Sequence, residues 1–233
     1  MKRIYILTAI CLFVSLALKA QTEMEPTKPP VRLAVRTGIF GSRYVFNNLP
    51  DGQKNPEGDD SFYGGLQADI PLSERVSIAP EVIYAQSSND AYIGGLYMDL
   101  FKNLFVPVLF KYKFGKVSLM AGPQADFLLE AKGWFLEKAP ESDPDYNYYF
   151  KSGDIKGKSY SNFTLSGVIG VEWVFKYRFG IDARYQFGLT NFRSDYKDFE
   201  TIKPLIASLS DDIKFNGFQA GIFFRFGKKP RKN

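Results

Sequence analysis

From Val31 onward, apolar and polar residues alternate in short runs broken by Gly, Pro, Asn and Asp clusters. This is the pattern of antiparallel strands with two unlike faces. The last run is the most regular: Phe218, Ala220, Ile222, Phe224 and Phe226 fall on one face, and Gly217, Gln219, Gly221, Phe223 and Arg225 on the other. The run before it repeats the pattern, with Phe179, Ile181, Ala183, Tyr185, Phe187 and Leu189 opposite Gly180, Asp182, Arg184, Gln186 and Gly188. Upstream, Val117, Leu119, Ala121, Ala125, Phe127 and Leu129 alternate with Ser118, Gln124, Asp126 and Glu130, and Val106, Val108, Phe110 and Tyr112 alternate with Pro107, Lys111 and Lys113. A further pair of runs flanks Ser73-Glu74, one run lies around 163–175, and the first, less regular run spans 33–44.

These runs predict eight strands. Tight turns near Ser73, Gly115 and Lys176 alternate with long segments at 46–60, 86–103, 131–160 and 191–213. Such spacing belongs to an all-β, eight-stranded antiparallel up-and-down transmembrane β-barrel with short periplasmic turns and longer outside loops. An even strand count puts both termini in the periplasm, and closure removes the sheet edges that hydrocarbon does not tolerate.

A soluble lipocalin-like barrel is the competing fold, because it also has eight alternating strands. The two differ in which face turns outward. In a membrane barrel the aromatic-rich face meets lipid and the charges line the interior. The predicted lumenal network then comprises the acids Asp69, Glu81, Asp126, Glu172 and Asp182 and the bases Arg36, Lys111, Lys113, Arg184 and Arg225. Eight strands leave an interior only wide enough for side chains, so this network reads as a packed ionic plug and not as a conducting path.

The N-terminus adds export. Lys2 and Arg3 precede an apolar stretch from Ile4 to Leu18, and Leu18-Lys19-Ala20 offers a cleavage site, so residues 1–20 read as a signal peptide. Residues 21–30, with Pro29 and Pro30, read as a flexible lead-in, 31–226 as the barrel, and 227–233 as a basic periplasmic tail. Cys11 lies within the apolar stretch, so the mature chain has no cysteine and no disulfide.

The formal charge of +5 owes three positive charges to Lys2, Arg3 and Lys19, and four more to Lys228, Lys229, Arg231 and Lys232 in the tail. The folded body carries no excess of bases, which argues against nucleic-acid binding. The chain also contains no His. Ser-His and Asp-His proton shuttles are therefore excluded, His and Cys metal sites are absent, and no cofactor is expected. The functional reading is a non-enzymatic structural or partner-binding component of the envelope, with a soluble lipocalin-like binding barrel as the alternative and a lipid-modifying outer-membrane enzyme as the weakest reading.

Two further groups stand out. Tyr146, Tyr148, Tyr149 and Phe150 in the third long segment could contact a sugar or a protein partner, or extend a hairpin above the membrane. Ile222, Phe224 and Phe226 have the spacing of a terminal strand that barrel-assembly machinery recognises. Acids at 55–60 and 141–146 lack the spacing of an EF-hand loop.

Four stretches, LFVPVLFKYKFG at 104–115, SGVIGVEW at 166–173, RYQFGLTNF at 184–192 and GIFFRF at 221–226, resemble the PorT-like outer-membrane β-barrel family of Gram-negative bacteria. The resemblance implies an eight-stranded outer-membrane barrel, with outer-membrane lipids and barrel-assembly machinery as partners. It also suggests other envelope proteins, including those of protein secretion. It assigns no functional residue. The basic tail after Phe226 departs from a chain that ends on its last strand.

Overall fold

A computed structural model of the chain describes residues 30–46, 61–87, 97–138, 148–154, 161–175, 178–192 and 213–226. Among the described residues there are nine strands: β1 (Arg32–Phe46), β2 (Ser61–Pro71), β3 (Val76–Ser87), β4 (Tyr97–Phe114), β5 (Val117–Lys138), β6 (Tyr148–Asp154), β7 (Phe163–Val174), β8 (Phe179–Gly188) and β9 (Ile213–Arg225). Eight of them close a ring in the order β4-β3-β2-β1-β9-β8-β7-β5, with β5 pairing back onto β4. All pairings are antiparallel, and the ring is sealed by β1 on β9, from Ala34 against Arg225 to Phe46 against Ile213.

The ninth strand lies above the ring and leaves its closure intact. Val117–Phe127 of β5 pairs with β7, whereas Lys132–Lys138 of the same strand pairs with β6. A membrane strand needs about 9–11 residues, and β5 has 22. Its outer half therefore continues as a hairpin beyond the length that crosses a bilayer. Part of the long segment expected at 131–160 is consequently strand.

Tight connections hold one end together. Ser73 Oγ accepts a hydrogen bond from Val76 N at 3.1 Å. At the β4–β5 turn, Gly115 has φ +61°, in the left-handed region that glycine adopts without a Cβ penalty. These connections define the turn end of the barrel, and the opposite end is the loop end.

The outer face is apolar. Ile222 is 60% exposed and Phe110 56%, and Ile39, Phe62, Leu119, Ile169, Trp173, Phe179 and Phe218 are exposed with them. Inside, Arg36, Glu81, Glu172, Asp182 and Arg184 are buried. A soluble barrel would place these two sets the other way round, because exposing so much apolar surface to water is unfavourable. The lipocalin-like alternative is thereby contradicted.

One face assignment from the sequence is corrected. Asn103 pairs with Leu128 but its neighbour Lys102 pairs with Glu130, so Leu129 is an extra residue in β5. Such a bulge reverses the alternation beyond it. Glu130 accordingly shares a face with Lys102, while Ala131 turns inward opposite Phe101.

Candidate functional site

The inward side chains fill the lumen in layers, and period-two geometry brings them there from every wall. The central layer is ionic. Glu81 on β3 accepts two hydrogen bonds from Arg36 Nη1, at 3.0 and 2.9 Å. It accepts two more from Arg184, Nη1 to Oε2 at 2.6 Å and Nη2 to Oε1 at 3.0 Å. Gln67 Nε2 donates to Glu81 Oε1 at 2.5 Å. Arg36 Nη2 also reaches Asp182 Oδ2 at 2.9 Å, and Arg184 Nε lies 3.3 Å from Asp182 Oδ1.

Every member of this quartet is buried, so each charge depends on its partners for the solvation it has lost. Two arginines face two carboxylates. The planar guanidinium fork suits such bidentate contacts better than an ammonium would. Tyr63 OH adds a longer hydrogen bond to Asp182 Oδ1 at 3.4 Å.

Toward the turn end lies a second cluster. Lys111 Nζ donates to Glu172 Oε2 at 2.7 Å, and Arg225 Nη2 donates to Glu172 Oε1. Asp69 accepts from Ser77 Oγ at 2.6 Å. Toward the loop end, Asp126 is held by amides: Gln124 Nε2 donates to Oδ1 at 2.6 Å and Gln186 Nε2 to Oδ2 at 3.1 Å.

Of the ten charged residues that the sequence pointed to, seven thus meet in two ion-paired clusters. Asp69 and Asp126 are satisfied by neutral donors. Lys113 has the inward alternation but sits in the last pair but one before the turn, opposite Ser118, where it is exposed. It therefore stands outside the buried clusters.

Among the described residues, the loop-end half of the lumen holds no ion pair. Phe40, Tyr63, Ile83, Phe101, Phe105, Leu128, Phe192 and Phe215 form a buried apolar cluster. Phe40 packs edge-on against Phe105 at 5.5 Å, and Phe192 stacks on Phe215 at 5.3 Å with 26° between the rings. Phe192 follows the end of β8, and its carbonyl accepts a hydrogen bond from Ser161 N at 2.8 Å. Sequence reasoning did not identify this cap, although the signal was present. The alternation that turns Arg225 inward also turns Phe215 inward, and the one that sets Lys111 inward does the same for Phe105.

Glycines make room for the inward rings. A Cβ on Gly221 would lie 2.3 Å from Tyr63 Oη and 2.4 Å from Thr37 O, and one on Gly217 would lie 2.7 Å from Phe40 Cε2. Small residues on the inward face of β9 thus leave space for Phe40 of β1 and Tyr63 of β2.

The remaining predicted contacts are placed only in part. Tyr148, Tyr149 and Phe150 begin β6, opposite Lys138, Glu137 and Leu136, and Tyr146 lies outside the described residues. Ile222 and Phe226 are exposed on the outer face of β9, and the Phe224 ring packs against Phe179 at 4.9 Å and Phe226 at 5.2 Å. Among the described residues, no group of three or more His, Cys, Asp or Glu side chains could hold a metal ion. The acidic segments at 55–60 and 141–146, the expected signal peptide at 1–20, most of the expected lead-in and the basic residues at 227–233 also lie outside the described residues.

Beyond the apolar band, the Glu130 carboxylate bonds Lys102 Nζ at 2.8 Å and Lys132 Nζ at 2.9 Å. These hydrogen bonds, with Lys102 contributing most, hold its pKa down to about 2.

Comparison with known proteins gives three kinds of result. No curated protein matches the chain. Among solved structures, Ail of Yersinia pestis is 17% identical, with 84% of this chain and 98% of that one covered and a TM-score of 0.48. Neisserial surface protein A is 11% identical, with 83% and 97% covered and a TM-score of 0.48. OprG of Pseudomonas aeruginosa is 10% identical, with 84% and 96% covered and a TM-score of 0.40. At these identities no property of those proteins transfers. The family model for the outer membrane protein beta-barrel domain matches residues 19–194, three-quarters of the chain, and the chain therefore belongs to that family as a β-barrel protein of the outer membrane.

Proposed function

We propose that this protein is a closed, non-enzymatic barrel that acts in the envelope as a structural or partner-binding component. The observation that carries the reading is the filled lumen: two ion-paired clusters and an aromatic cap occupy the space that a channel would need. Without a conduit or a histidine, the surfaces left for function are the segments outside the bilayer.

In this reading the turn end and both termini face the periplasm, and residues 1–20 direct export. Ile222, Phe224 and Phe226 on β9 present the assembly signal, and Tyr146, Tyr148, Tyr149 and Phe150 contact a partner from the hairpin that β5 and β6 form. The resemblance to the PorT-like family extends the proposal to a role near protein secretion. Cross-linking mass spectrometry on intact envelopes tests it. Residues 139–160 should cross-link to another envelope protein, and this should be lost when the four aromatic residues are changed to Ser. Cross-links confined to lipid and to the chain itself would overturn the proposal.

A further inference from the structure

The turn end holds a feature that neither ion-paired cluster uses. A cavity of about 80 Å³ opens there, and its wall includes Arg32, Arg75, Lys113 and Lys116. Deeper in the same wall lie Lys111 and Arg225, already engaged with Glu172. Two acids also line it: Asp69, next to Ser77, and Glu74 in the β2–β3 turn.

Charges balance in the floor but not at the rim. Lys111 and Arg225 are offset by Glu172 and Asp69, and Arg32 stands opposite Asp69, so of the four bases at the rim Arg75, Lys113 and Lys116 face Glu74 alone. None of the four forms an ion pair among the described residues. The floor carries a second observation: Arg225 is 8% exposed, and its Nε has no hydrogen-bond partner among the described groups. A buried guanidinium N–H without an acceptor is costly, and an anion in this cavity would supply one.

We propose that the turn-end mouth of the barrel is a binding site for one phosphate-class oxyanion. Such an anion has several acceptor oxygens, which suits a wall combining guanidinium forks with ammonium point charges. The anion could arrive as free phosphate or as the headgroup of an anionic lipid, and both present the same chemistry.

The test is an amide NMR titration of the full mature chain in phosphatidylcholine nanodiscs with inorganic phosphate, against sodium chloride and sodium acetate at matched ionic strength. Phosphate should give saturable shifts in residues 73–77 and 113–118. Binding should weaken by about tenfold in the R75Q/K113Q/K116Q variant, whose three changed side chains are exposed and outside the buried clusters, so that it folds as the parent does. In phosphatidylglycerol discs, the same shifts without added phosphate would identify the headgroup as the source, and their absence would identify free phosphate. Shifts reproduced by chloride or acetate, or unchanged in the variant, would overturn the proposal.

Discussion

Glu81 on β3 and Arg184 on β8 meet across the full width of the barrel, with Arg184 Nη1 2.6 Å from Glu81 Oε2. Four steps separate these strands in either direction around the ring of eight, so the bond ties opposite walls together. Arg36 on β1, midway along one arc, binds Glu81 and Asp182 and links both walls to its own.

Removing Glu81 therefore leaves two buried guanidinium groups sharing one carboxylate, Asp182. The Glu81→Gln variant should lose about 3–5 kcal/mol of stability, the cost of leaving a buried charge unpaired. Urea unfolding in lipid vesicles measures this. Adding Arg184→Gln should restore part of the loss, because residues in one network do not behave additively.

A second prediction concerns the glycine lane on β9. Gly221→Ala would push a methyl group against Tyr63 Oη and the Thr37 carbonyl oxygen, and overpacking of this kind costs about 1–3 kcal/mol. Gly64→Ala is the control, because its nearest neighbour, Arg36 O, would be 3.9 Å away. Heat-dependent gel mobility should show a lower melting temperature for the first variant and little change for the second.

Glu130 provides a pH signature outside the membrane-spanning segments. Its folded pKa, about 2, lies below the unfolded value, so its pairing with Lys102 and Lys132 stabilises the fold at neutral pH. The contribution is lost as the pH falls through about 2. Carboxyl-carbon NMR should give a titration midpoint near that value, and Lys102→Ala should raise it. Because all three side chains are partly exposed, the effect on overall stability should be small.

The alternation of residues such as Asp182, Arg184 and Gln186 with Ile181, Ala183 and Tyr185 was enough to read the closed fold and to indicate which side chains line the lumen. The pairing of those charges was not legible, since it depends on strand tilt and stagger around the ring. Two local events also escaped. The bulge at Leu129 turns Glu130 outward without any Gly or Pro to mark it, and Phe192, beyond the last residue of β8, folds back as part of the cap. The aromatic cap was missed for a different reason: in a membrane barrel apolar residues are expected on the lipid face, so Phe40, Phe105 and Phe215 drew no attention although their alternation turns them inward.

The measurement that tests the central claim most directly is single-channel recording with the protein purified from outer membranes in a planar lipid bilayer. The filled lumen predicts no stable unitary conductance across the voltage range that the bilayer withstands. Reproducible, resolved channel openings from the folded protein would contradict it.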